Sequence, residues 1–211
     1  MIGFGSFLTY LGYGYMDSWH GVATLALLPF FIIGLVRSSS LVKKISVKAL
    51  FSSFEKTEFK TTYGIGRILL LFSALGIFLA GLTIMIVGMT TIFVPQDLEY
   101  MNITVCGIEQ INKNLKPLIA HDRAAFGGGL ATIGLLYFFI IKNAAPVINL
   151  WQILFVSMAI GFSSAIGVHF IIGYTNVSHL LPACLGAASG AGGLILTYPR
   201  MRNHAETSIK S

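Results

Sequence analysis

The chain has 211 residues, of which 55% are hydrophobic and only 10% charged, and its mean hydropathy is +0.79. Soluble domains carry roughly 25% charged residues, so composition excludes an ordinary soluble domain and implies an all-α, polytopic helix bundle facing lipid. Fourteen Lys and Arg against eight Asp and Glu leave a net charge of +6; the lipid bilayer is the expected partner, and no nucleic acid is.

In chain order, residues 2–14 form a first apolar stretch, ~20 Å long as a helix and too short to cross a membrane unaided. Met1-Ile2-Gly3 has neither the basic region nor the cleavage site of a signal peptide. A span is expected at 21–36. Segment 37–67 is basic, with Arg37, Lys43, Lys44, Lys48, Lys56, Lys60 and Arg67 against Glu55 and Glu58. Further spans are expected at 68–93, 124–141, 150–172 and 180–198, followed by a basic tail at 199–211. That makes about five full spans plus the short N-terminal helix. Eleven of the fourteen Lys and Arg fall on one side of this arrangement. The positive-inside rule places that side in the cytoplasm of a cell inner (plasma) membrane. Segment 37–67 could also meet a membrane or cytoplasmic protein partner or anionic lipid, although topology alone accounts for its charge.

Segment 94–123, on the opposite side, reads as structured. Pro95 and the acids Asp97 and Glu99 suit a helix start. Ile108, Ile111, Leu115 and Leu118 recur at helical spacing, with Glu109 and Lys113 as an i,i+4 pair. An amphipathic cover lying along the membrane surface is expected. Cys106 falls in this polar segment and Cys184 in an apolar span, which argues against a disulfide framework or a cysteine metal site.

The two ends of the chain share a motif. Gly3-Phe4-Gly5-Ser6 followed by Gly14-Tyr15-Met16-Asp17-Ser18-Trp19-His20 matches Gly161-Phe162-Ser163-Ser164 followed by Gly173-Tyr174-Thr175-Asn176-Val177-Ser178-His179. The expected organisation is therefore one and a half internal repeats. Residues 1–36 form a partial first copy and 68–198 a complete second copy of four spans.

With that orientation, polar chemistry gathers on the outer side. The candidate ligand-binding residues are Asp17, His20, Asp97, His121, Asp122, Arg123, His169, Tyr174, Asn176 and His179. Asp122 also suits the N-cap of the span behind it. Arg123, at a positive helix end, calls for an acidic partner from Asp17, Asp97, Glu99 or Asp122. His169 lies inside a span, where an ionisable group is costly and faces a partner or a ligand. Gly127-Gly128-Gly129 and Gly186-Ala187-Ala188-Ser189-Gly190 read as close helix packing, with a flat ligand as the other reading of the glycine triplet.

The strings Phe93-Val94-Pro95-Gln96-Asp97-Leu98-Glu99-Tyr100-Met101, Leu118-Ile119-Ala120-His121-Asp122-Arg123-Ala124-Ala125-Phe126-Gly127-Gly128 and Gly173-Tyr174-Thr175 resemble an uncharacterised family of bacterial multi-pass membrane proteins. The resemblance implies a multi-pass bundle and transfers no activity. Some relatives are associated with a dihydroorotate dehydrogenase-like domain, for which this chain has no room, since a flavin barrel needs roughly 250 residues. Three function classes stay open. One is an outer-facing His/Asp/Arg site for a small polar ligand, metal or lipid head group. The others are a quinone-linked or electron-transfer membrane subunit and a transporter built from repeats. No cofactor is singled out by the pattern.

Overall fold

A computed structural model describes residues 60–209, with side chains to Asn203, together with residues 22, 25–30, 32–34, 36 and 37. Asp17, His20 and most of the first repeat copy lie outside the described residues, as does most of segment 37–67. The expected superposition of the two copies therefore falls outside them too, whereas the described positions of the expected 21–36 span are helical, with an apolar helix at Leu25–Gly34 that is shorter than a membrane span.

Among the described residues from 60 onward, every regular element is helical. The helices are α1 (Thr62–Met89), α2 (Pro95–Met101), α3 (Val105–Ile111), α4 (Leu115–Asn143), α5 (Ile148–Ile172) and α6 (Val177–Ile209). Helices α1, α4, α5 and α6 are long and apolar enough to cross a membrane. Even α5, with 25 residues, is ~38 Å long against a hydrocarbon core of ~30 Å.

Helix α1 starts where Thr61 Oγ1 accepts a hydrogen bond from Gly64 N at 3.0 Å, six residues before the expected span start. Arg67 is thereby drawn into the bundle. It is 3% exposed, and its Nε donates to Ile141 O at 3.1 Å and its Nη2 to Lys142 O. The guanidinium thus satisfies the last carbonyls of α4, where a cation is favoured by the helix dipole. At the same end the Arg200 guanidinium stacks on Tyr63 at 4.6 Å. These contacts define a basic end of the bundle, and the opposite end carries Asp97, Glu99, Glu109 and Asp122.

The helices pack through small residues at intervals of seven. Ala74, Gly81 and Gly88 of α1 face Ala120, Gly127 and Gly134 of α4, all buried. A Cβ on Gly81 would lie 2.2 Å from Ala131 N, and one on Gly127 would lie 2.3 Å from Met85 N. The two backbones touch. A seven-residue interval keeps this seam in register only if the pair winds left-handedly. Helix α6 packs on the other side of α1, with Gly193 against Leu70 and Gly66. Ser73 Oγ donates to Gly186 O at 2.9 Å and Ser189 Oγ to Leu69 O at 2.8 Å across that seam. Gly127 and Gly128 are buried, so the packing reading of the triplet holds for them. Helix α5 packs chiefly on α6, through Leu154, Met158 and Phe162, and Trp151 Nε1 donates to Leu194 O. Cys184 is exposed on the surface of α6, not enclosed by protein.

Between α1 and α4 the expected single amphipathic segment is two helices and a break. Thr104 Oγ1 caps α3, and Asn112 turns extended before α4 begins at Leu115. Ile108 is buried, whereas Ile111 and Leu118 are exposed. Glu109 pairs with Lys116 at 3.0 Å rather than with Lys113, because the break moves Lys113 off the helical register.

Candidate functional site

Asp97 organises the acidic end. It is 5% exposed and sits in the first turn of α2. Its Oδ2 accepts from Val94 N at 2.9 Å, closing the start of α2, and from Arg123 Nη2 of α4 at 2.8 Å. Its Oδ1 accepts from the Tyr174 hydroxyl, in the α5–α6 turn, at 3.0 Å. One carboxylate therefore ties together three segments that are distant in sequence. The acidic partner expected for Arg123 is Asp97. The turn leading into α2 is strained: Ile92 has φ 66, costly for a β-branched residue by roughly 1–2 kcal/mol. Buried Phe93, beneath the Arg123 guanidinium at 5.8 Å, and the Asp97–Val94 bond hold it there.

The α5–α6 turn carries the motif Gly173-Tyr174-Thr175-Asn176-Val177-Ser178-His179. Gly173 ends α5 at φ 77, the left-handed conformation that glycine adopts without cost. Asn176 Oδ1 then accepts from His179 N at 3.3 Å and from Ser178 Oγ at 2.6 Å, capping α6. Asn176, three residues before His179, is thus the N-cap of α6. That role was readable in the spacing and was not assigned from it.

Tyr174, held by Asp97, anchors a cluster of rings. Its centroid lies 4.8 Å from Tyr100, 4.8 Å from His179 and 5.7 Å from His169. The two imidazoles are 5.2 Å apart. The Tyr100 hydroxyl donates to Ile172 O, pinning α2 to the end of α5. His169 Nδ1 donates to Ala165 O at 2.6 Å. Burial raises the Tyr174 phenol to about 12, helped by the hydrogen bond to Asp97 and that carboxylate's charge and opposed by Arg123. The hydroxyl stays protonated and serves as a donor.

Of the sequence-derived candidates, Asp97, Arg123, His169, Tyr174 and His179 converge. Tyr100 joins them without having been singled out; its position three residues after Asp97 puts both on one face of α2. His121 and Asp122 pair with each other, Nδ1 to Oδ1 at 2.8 Å. Helix α4 begins at Leu115, so Asp122 stands two turns inside it and does not cap it. Two residues along a helix is a rotation of roughly 200°, which turns His121 away from the face that carries Arg123. Among the described residues no group of three or more His, Cys, Asp or Glu is arranged to hold a metal ion.

No protein-family model matches this chain, and neither curated proteins nor solved structures give a match.

Proposed function

We propose that this chain is an integral membrane protein whose acidic end binds the polar head group of a membrane-borne molecule at the cluster of His169, Tyr174, His179 and Tyr100. The observation that carries this reading is the position of the cluster. It adjoins Val168, Phe170, Ile171 and Ile172 of α5, all exposed and apolar, and its floor is the Asp97–Arg123–Tyr174 network. A ligand with a polar head and an apolar tail meets both surfaces at once. Helix α2, with exposed Tyr100 and Met101, borders the cluster at the interfacial level through the Tyr100–Tyr174 ring contact. A metal reading lacks a ligand set among the described residues. The described spans are continuous helices, without the broken helix that marks many transporter sites.

The test is native mass spectrometry of the purified protein with its retained lipids, comparing wild type with His169→Phe/His179→Phe. A bound lipid-sized mass lost in the double variant supports the reading, and an unchanged lipid load refutes it. Sidedness is proposed from charge, with the acidic end outside the inner membrane. Exposed Cys106 should then react with an impermeant maleimide on spheroplasts, and labelling only after lysis would reverse the orientation. Cys184 should stay unlabelled because lipid covers it.

A further inference from the structure

We propose that the group recognised at the ring cluster is a primary ammonium, as on an ethanolamine head group, and that His169 Nε2 is the acceptor that selects it. This rests on the binding reading above and names its ligand chemistry.

The argument is a count of donors. The Tyr174 hydroxyl is spent on Asp97 and the Tyr100 hydroxyl on Ile172 O. A carbonyl oxygen only accepts, so the bond to Ala165 O fixes the proton on His169 Nδ1. In the neutral imidazole Nε2 is then an acceptor. Three ring donors of the cluster are thus committed to protein acceptors, and an anionic head would find few left. An ammonium brings three donors and no acceptor. The aromatic faces of Tyr100 and Tyr174 also attract a cation. Local charge agrees with this choice. Asp97, Glu99 and Arg123 are the charged groups that act on Tyr174, two acids against one base. The anions and cations of this end together are Asp97, Glu99, Glu109 and Asp122 against Lys113, Lys116 and Arg123.

The same chemistry could come from a lipid or from a soluble amine. The experiment places full-length protein in phosphatidylcholine nanodiscs doped with a minor fraction of phosphatidylethanolamine or phosphatidylglycerol. The buffer is held at pH 8, where a primary amine is charged. Retained lipid is then quantified by mass spectrometry. One charge-assisted hydrogen bond corresponds to about tenfold or more in retention of phosphatidylethanolamine over the other two. His169→Phe keeps the ring and removes the acceptor, and should bring the three lipids to parity; His169→Gln, which offers an amide oxygen, should restore part of the preference. If His169→Phe does not fold, the wild-type ranking alone decides. Stabilisation of protein in phosphatidylcholine discs by free ethanolamine, matching the doped discs, would support the ammonium chemistry with a soluble source. Equal retention of all three lipids, reduced together by His169→Phe/His179→Phe, overturns the ammonium assignment and leaves the site standing. Retention indifferent to both variants overturns the site as well.

Discussion

Replacing Asp97 by Asn changes one heavy atom and removes one charge, yet it acts on three segments. The carboxylate is 5% exposed and accepts from Val94 N, Arg123 and Tyr174. Asn keeps one acceptor oxygen, which at the Oδ2 position can still accept from Val94 N and Arg123, but its NH2 then faces the Tyr174 hydroxyl and the charge opposite Arg123 is lost. Breaking a fully buried ion pair from one side costs roughly 3–5 kcal/mol. Arg123 is 29% exposed and regains water, which brings the expected loss to about 2 kcal/mol. The assay is SDS-driven unfolding from mixed micelles, followed by far-UV circular dichroism. Arg123→Met removes the other half of the pair. Because the two residues share one interaction, the double variant should be less destabilised than the sum of the singles, with a coupling of about 1–2 kcal/mol. A loss below about 0.5 kcal/mol for Asp97→Asn, or additive singles within the ~0.5 kcal/mol typical of independent sites, would show that the network does not hold the cover to the bundle.

Other consequences test separate parts of the fold. Gly81→Leu and Gly127→Leu drive a side chain into backbone atoms of the facing helix and should abolish the folded bundle on size exclusion, whereas Gly129→Ala, with nothing within 4 Å of its added Cβ, should be neutral. Asn176→Ala removes the α6 cap and should cost about 1 kcal/mol in the same SDS titration, without loss of the α1–α4 pair. Alkaline titration of phenolate absorbance should include a late phase near the value of about 12 for Tyr174, and Tyr174→Phe should remove that phase. The folded state holds this proton more tightly than the unfolded chain, so the contribution of Tyr174 to stability is complete below pH ~10 and is lost as pH rises towards 12.

The spans were legible because no Asp, Glu, Lys or Arg in residues 68–93 or 150–172 breaks a run long enough to cross a bilayer. The start of α4 was not. Lys116, His121, Asp122 and Arg123 look like loop, but a helix that projects beyond the apolar layer needs only its backbone bonds, and α4 runs through them from Leu115. Arg123 announced its need for an acid because a lone charge beside an apolar span is expensive. Which acid answered depended on how the turn at Ile92 aims α2, and no local pattern encodes that. Arg67 was read with the basic segment it adjoins. Its burial against the end of α4 comes from the antiparallel pairing of α1 and α4, which brings residues 67 and 141 together from opposite ends of a hairpin. The histidines were visible as unusual residues, but the division between His169 with His179 and His121 with Asp122 is set by helix phase. The capping role of Asn176 did not stand out, since a helix cap and a ligand group share the same chemistry.

The most direct measurement of the central claim is photolabelling with a lipid that carries its diazirine on the head group, followed by peptide mapping of the labelled chain. Binding at the acidic-end cluster predicts labels concentrated in peptides that contain Tyr100, His169 and His179, and reduced in His169→Phe/His179→Phe. Labels spread evenly along the exposed face of α5, or confined to the basic end beside Lys142 and Arg200, would contradict a head-group site at this cluster.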